Sequence, residues 1–354
     1  MTNSVKVLLV DDSPTMCQFL KHIIDTAANM QVIGIAHSGQ QGIDLTHKLR
    51  PTVIIMDIVM PGMDGLETTR EIMRTVPTPI VMVTTSLQKQ ETDIAFRAIR
   101  LGALTVLQKP IGSNHPDYLA QSMSFISTIR AMADVKVIYH RQQVSSTRQK
   151  AITTAADKRQ AEILVIAVST GGPAALAELF KSLPTRLGFP IVVAQHISVD
   201  FLPSLVEWLS NLTPLPISIA QANEQPRPGH IYFAPGDGHL SLSKSHKFEI
   251  DRTPGRSNYM PSGDILLESV ARNYGSRSIG LVLTGMGTDG AQGLKAMYEA
   301  GAYTIAQDEE TSVVFGMPQE AFLLGATHEV LPINKIATRL ISLQSEVQEE
   351  QTHG

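Results

Sequence analysis

A short apolar run that keeps returning limits this chain's fold more than any other feature. Runs of four to six residues occur at 5–10, 31–36, 53–56, 79–84 and 104–107, and again at 163–168, 191–195, 217–220, 279–284 and 302–307. Helical patterns follow most of them. The first is well signalled: Ser13 can cap it, Pro14 suits its first turn, and Met16, Phe19, Leu20, Ile23, Ile24 and Ala27 share one face. Strands this apolar must be covered on both sides, and helices between them supply the cover, so the pattern predicts doubly wound parallel sheets. With 354 residues there is room for two such units. Each would carry its site at the carboxyl ends of its strands.

In the first unit those ends are chemically selected. Asp11 and Asp12 follow the first strand, Asp57 the third, Thr84 closes the fourth, and Lys109 follows the fifth. Carboxylates gathered on one edge repel unless a cation sits among them, and hard oxygen ligands suit Mg²⁺. One carboxylate can then attack a phosphoryl group while a hydroxyl and a lysine bind its oxygens. The bland alternative is a helix cap at Asp12 and a surface ion pair at Lys109.

This constellation resembles the receiver domain of two-component response regulators. The resemblance implies that Asp57 accepts phosphate, that Asp11 and Asp12 help it hold Mg²⁺, and that Thr84 and Lys109 contact the phosphoryl group. Lys109-Pro110 matches a family step that is often cis. Val106 stands where many receivers carry an aromatic switch residue.

Between 134 and 160 the periodicity fades, and Lys136, Arg141, Arg148, Lys150, Lys158 and Arg159 outnumber Asp134 and Asp157, which reads as a linker. Beyond it, three polar residues stand just after apolar runs: Ser169, His196, and Asp289 within Gly285-Met286-Gly287-Thr288-Asp289-Gly290. On neighbouring parallel strands all three reach one edge. A serine hydroxyl becomes nucleophilic when a histidine takes its proton, and the histidine needs a carboxylate to set its tautomer. The Thr170 N–H and a backbone N–H of the 285–287 turn can face the oxyanion.

Competing readings exist. Ser169 can be a plain N-cap for the next helix. His230 and His239 flank an expected antiparallel hairpin, in which 231–234 and 240–243 pair across Pro235-Gly236-Asp237-Gly238. Asp237 and Asp264 rival Asp289, but they suit a turn and a helix start. A metal site built from His196, His230 and His239 lacks ligand spacing. The glycines at 285, 287 and 290, with Asp308 following, also match a dinucleotide fingerprint, yet Asp289 would repel a pyrophosphate.

The second half is similar to the chemotaxis protein-glutamate methylesterases, through AVSTGGP, Gln195-His196, RPGHIYFAPGDGHL, PSGD at 261–264 and LTGMGTDGAQGL. Ala167, where that family commonly has glycine, and Gly263 within PSGD are departures. The resemblance implies Ser169 as nucleophile, His196 as base, Asp289 as orienting acid, and Thr170 and Met286 at the oxyanion hole. It also implies demethylation of glutamate methyl esters and deamidation of selected glutamines on methyl-accepting chemotaxis receptors, with a chemotaxis histidine kinase as phosphodonor. The unphosphorylated receiver would cover the active-site face.

The expected organisation is a receiver over 1–133, a linker over 134–160, a catalytic domain over 161–345 and a polar tail over 346–354. Mg²⁺ is expected in the receiver and no cofactor for the ester chemistry. The alternatives are the same esterase serving a non-motility pathway, a non-catalytic interaction protein, or a dinucleotide binder. A net charge of −4 and the lack of a basic recognition helix argue against nucleic acid. No apolar run approaches the roughly 20 residues a membrane helix needs. The N-terminus lacks a signal-peptide pattern, and the one cysteine, Cys17, forms no internal disulfide. A cytoplasmic protein is expected.

Overall fold

Every apolar run named above is a strand, and every one lies in a parallel sheet. The computed structural model describes residues 4–84, 89–110, 112, 115, 116, 118–135, 161–253 and 255–345. Most of the expected linker and all of the expected tail lie outside these residues. The chain divides into two compact units, Met1–Gln143 and Val144–Gly354.

In the first unit, β1 (Val5–Val10), β2 (Met30–Ala36), β3 (Val53–Asp57), β4 (Ile80–Thr84) and β5 (Thr105–Gln108) form one parallel sheet ordered β2-β1-β3-β4-β5. The helices between and after them are α1 (Pro14–Asp25), α2 (Gly39–Leu49), α3 (Gly65–Thr75), α4 (Lys89–Arg100) and α5 (Tyr118–Ala133). Helix α1 begins as read: the Ser13 hydroxyl accepts the Met16 N–H at 3.3 Å, so Asp12 is not the cap. Cys17, Leu20, Ile23 and Ile24 on its inner face are buried. The strand order reverses between β1 and β3, and the register Val10↔Met56 sets Asp11 beside Asp57 at that switch point.

The second unit holds a seven-stranded parallel sheet, ordered β14-β13-β12-β6-β7-β9-β8. Its strands are β6 (Ile163–Val168), β7 (Ile191–Gln195), β8 (Ile217–Ile219), β9 (Ile231–Phe233), β12 (Ser278–Val282), β13 (Tyr303–Gln307) and β14 (Glu329–Leu331). Helices α6 (Gly172–Lys181), α7 (Leu202–Ser210), α8 (Gly263–Tyr274), α9 (Ala291–Glu299), α10 (Met317–Leu323) and α11 (Ile333–Ser345) complete it.

One expectation is corrected. The antiparallel pair is β10 (His239–Leu242) with β11 (Phe248–Asp251), not 231–234 with 240–243. The segment Ile231–Phe233 instead pairs parallel with both β7 and β8. All three of its side chains are buried, as a strand covered on both faces requires, whereas β11 mixes buried and partly exposed positions. Pro235-Gly236-Asp237-Gly238 is therefore a passage between sheets, and Asp237 pairs there with Arg252.

The central strand β6 is apolar at all six positions, and all six are fully buried. At roughly 1.5–3 kcal/mol for each large side chain, this burial outweighs any local reluctance of the turn that follows. In that turn Gly171 has φ of 80°, and a Cβ there would fall 2.5 Å from the Val313 Cβ. Only glycine meets both conditions. Gly171 is also the N-cap of α6, with no side-chain capping bond, so Ser169 is not a cap. Its hydroxyl is left for other work.

Candidate functional site

Sheet register brings the three polar strand-end residues of the second unit together. Strands β6 and β7 pair to Val168↔Gln195, so Ser169 and His196 follow side by side. On the other flank β12 pairs with β6 to Val282↔Ala167, and the Ser169 N–H donates to the Thr284 carbonyl at 3.0 Å. The 285–290 turn thus leaves the sheet next to the serine, where strand order reverses between β6 and β12. Gln195 ties the edge together: its buried Nε2 donates to the Ser169 and His196 carbonyls, both at 3.0 Å.

Asp289 is buried, and its Oδ2 lies 2.7 Å from His196 Nε2. Burial pushes its carboxyl upward. The hydrogen bond and charge of His196, with donors from Gly263 and Ser262, more than reverse this and hold it below the usual carboxylate range. With Nε2 turned to Asp289, the imidazole nitrogen left to accept a proton is Nδ1. Among the described residues no hydrogen bond joins Ser169 Oγ to His196, and such contacts commonly tighten only with substrate bound. Tyr259 stacks on the imidazole with centroids 5.0 Å apart and planes 5° from parallel. Among the described residues neither the Thr170 N–H nor the Met286 N–H has an acceptor within the protein, so both are available to an oxyanion.

The rival residues have other work. His230 Nε2 meets Ser218 Oγ at 2.9 Å and its ring stacks on Tyr232. His239 is buried, and its Nδ1 accepts the Ser262 N–H at 3.2 Å. Asp264 lies in the first turn of α8 and accepts the Gly293 N–H of α9 at 2.7 Å. That carboxylate already occupies the start of α9, where a dinucleotide would need its pyrophosphate, and Asp289 adds a second negative charge. The glycine fingerprint is therefore not a dinucleotide site. Asp308 instead accepts the N–H and hydroxyl of Thr311 in its own turn.

The two family departures meet in space. A Cβ on Gly263 would lie 2.6 Å from the Ala167 Cβ, and one on Gly290 would lie equally close. Alanine at 167 thus depends on glycine at 263. Gly263→Ala should destabilise the fold by about 1–3 kcal/mol, as overpacked core sites do. Ala167→Gly in the same chain should recover most of that loss. Denaturant melts of the four chains read the coupling, and simple additivity would refute the contact.

In the first unit, Lys109 reaches over the sheet edge to Asp11 Oδ2 at 2.6 Å and to Asp57 Oδ1 at 2.9 Å. All three are buried. Burial pushes the Asp57 carboxyl up to about 6, against the pull of Lys109. Burial alone would depress Lys109, but Asp11 and Asp57 raise it overall and keep it charged. The oxygens of Asp11, exposed Asp12 and Asp57 lie within 4.8 Å of one another. Three convergent hard oxygens, one facing water, fit an ion such as Mg²⁺ that keeps several waters. Among the described residues this is the one such grouping of possible metal ligands.

Thr84, buried at the end of β4, accepts the Lys109 N–H on its carbonyl at 2.9 Å. Val106 is partly buried against the core of the first unit. The Lys109–Pro110 bond is trans, and the cis bond among the described residues is Met260–Pro261. Sequence does not fix that isomer, because the two forms differ by only about 0.5–1 kcal/mol before proline.

The sequence points to Ser169, His196 and Asp289 and to Asp57, Thr84 and Lys109, but not to the contacts of Tyr259, Ser262 and the side chain of Gln195. Two of these lay inside quoted motifs. Their contacts depend on which helix and strand ends meet.

Comparisons with known proteins find a family for each unit. A family model described as CheB methylesterase matches residues 164–340, and one described as response regulator receiver domain matches 7–117. Protein-glutamate methylesterase/protein-glutamine glutaminase 4 of Myxococcus xanthus (strain DK1622) is 39% identical over 341 residues, covering 96% of each chain. Its counterpart numbered 1 in Syntrophus aciditrophicus (strain SB) is 39% identical over 350 residues, 97% of this chain and 99% of that one. The crystal structure of the Thermotoga maritima CheB methylesterase catalytic domain is similar at 40% identity and a TM-score of 0.50. It covers 52% of this chain and 98% of that one.

Proposed function

This chain belongs to the CheB methylesterase family, with a response regulator receiver domain ahead of the esterase, and from that premise we propose a phosphorylation-activated serine hydrolase. Its substrates are glutamate methyl esters, and selected glutamines, on the helices of methyl-accepting chemotaxis receptors. The observation that carries the reading is the His196–Asp289 contact on strand ends that flank Ser169.

The geometry supports the following chemistry. Ser169 Oγ attacks the ester carbonyl while its proton passes to His196 Nδ1. Asp289 holds the opposite N–H and stabilises the imidazolium. The negative oxygen of the tetrahedral intermediate accepts hydrogen bonds from the Thr170 and Met286 N–H groups. Collapse breaks the bond to methoxide, which takes the proton from His196 and leaves as methanol. Water, deprotonated by the same nitrogen, then releases glutamate and restores the serine. A glutamine enters the same sequence with ammonia as leaving group.

Control lies in the receiver. Asp57 accepts a phosphoryl group from a chemotaxis histidine kinase, with Thr84 and Lys109 meeting its oxygens. Asp11, Asp12 and Asp57 would hold Mg²⁺, which supplies charge neutralisation among the crowded oxygens. Phosphorylation then raises the fraction of chains whose esterase site admits a receptor. Among the described residues no helix is long and apolar enough to cross a membrane, consistent with action on the receptor's non-membrane part.

The test is methanol release from methylated receptors with and without a small phosphodonor. Wild type should be stimulated, and Asp57→Ala should keep the basal rate and lose the stimulation. An Asp57→Ala chain stimulated as fully as wild type would refute receiver control.

A further inference from the structure

Asp289 collects more hydrogen bonds than the orientation of one imidazole requires. Its Oδ1 accepts from the Ser262 hydroxyl at 2.8 Å and the Asp264 N–H at 3.2 Å, while Oδ2 accepts from the Gly263 N–H at 2.5 Å. The two N–H donors belong to the first turn of α8 and are present whatever the side chains. The hydroxyl is a choice of residue.

Ser262 is the N-cap of α8, with extended backbone, and its Oγ accepts the Ile265 N–H at 3.4 Å. Capping uses only the accepting side of a hydroxyl. Its proton is spent on Asp289. Behind it, His239 Nδ1 accepts the Ser262 N–H at 3.2 Å from a site only 1% exposed. An imidazole that accepts at Nδ1 carries its proton on Nε2 and is neutral. Burial, which lowers the His239 pKa, favours that form. Ser262 is therefore gripped from behind through its backbone and bonded forward through its hydroxyl.

We propose that Ser262 is a positioning residue of the hydrolase: its O–H fixes the Asp289 carboxylate so that Oδ2 faces His196, and His239 holds Ser262 in register. The inference rests on the triad reading above. A residue that only caps α8 would affect stability and leave the chemistry unchanged. One that positions the acid slows the chemical step, leaves KM nearly constant, and is replaceable by another hydroxyl.

The experiment uses the full chain and two readouts: the rate at which a fluorophosphonate labels Ser169, mapped by peptide mass, and kcat and KM for methanol release. Ser262→Ala should slow labelling about tenfold, the size of one hydrogen bond to a charged group. It should lower kcat by a similar factor and change KM less than about twofold. Ser262→Thr should return to within about threefold of wild type. Ser262→Gly removes the hydroxyl while remaining a tolerated cap, so it should be as slow as alanine even if the alanine chain folds poorly. Wild-type labelling rates in the alanine and glycine chains overturn the proposal. So does a threonine chain that melts normally yet stays slow. A wild type unlabelled at Ser169 overturns the triad along with it, whereas a labelled wild type that releases no methanol overturns only the substrate.

Discussion

Ser169→Ala is expected to reduce methanol release from methylated receptors by about 10⁴-fold or more, because without the nucleophile the other triad members have nothing to activate. What remains should be the small assistance of the oxyanion donors and of substrate binding. The two units have separate cores, so phosphorylation of Asp57 should proceed at the wild-type rate in the same chain. Both halves of the result matter. Retained methanol release would remove Ser169 from the reaction. Lost phosphorylation would mean that the substitution had disturbed more than one hydroxyl.

Asp289→Asn should be nearly as damaging to catalysis, by about 10⁴-fold in kcat, with the shape of the side chain conserved. The amide has one accepting oxygen where the carboxylate has two. If its NH₂ faces His196 Nε2, the ring proton moves to Nδ1, and the nitrogen meant for the serine can no longer accept. If the oxygen faces His196 instead, the NH₂ confronts the Ser262 hydroxyl and the Asp264 N–H, which are donors. Either arrangement forfeits a buried hydrogen bond, so the variant should also melt at a lower temperature.

The pH dependence of that deficit has a definite sign. Asp289 has its folded pKa lowered, so the stability it contributes is complete above the unfolded value of about 3.9 and is lost as pH falls through the folded one. The gap in melting temperature between wild type and Asp289→Asn should therefore be constant near neutrality and close under strong acid. A variant that kept more than a tenth of wild-type kcat would exclude Asp289 from the triad.

Much of this was readable from the chain because fully apolar runs have few alternatives. A segment such as Ile163–Val168 can satisfy its backbone and bury six side chains only inside a sheet covered on both faces. Once the strands are parallel, the residues that follow them must share an edge, so the convergence of Asp11, Asp57, Ser169, His196 and the 285–290 turn was legible by position, whereas the roles expected of them came from the family resemblance. Turn chemistry was less so. Pro235-Gly236-Asp237-Gly238 reads as a hairpin turn, yet the absence of alternation in Ile231–Phe233 was the better guide, and tertiary cover overrode the local signal. Strand β14 has three residues and lies on the sheet edge, so it left no pattern to find. The contacts of Tyr259, Ser262 and Gln195 are set by approach between elements distant in sequence, which no local rule encodes. Ala167 and Gly263 are far apart in sequence, yet the Ala167 Cβ fills the space a side chain at 263 would need.

The register between β7, β6 and β12 has a consequence for how this protein can diverge. His196 and Asp289 lie 93 residues apart, and the chain between them wanders through α7, strands β8 and β9, a second small sheet, α8 and β12. Apart from the start of α8, which grips the carboxylate, the acid is brought to the base by the ladders Val168↔Gln195 and Ala167↔Val282 and not by the length of that path. Surface insertions or deletions in the crossovers therefore leave the reacting atoms where they are. A one-residue slip in either ladder would separate them while leaving every active-site residue present. Related chains can thus change the outer surface that meets each receptor, while the three central strands keep their lengths.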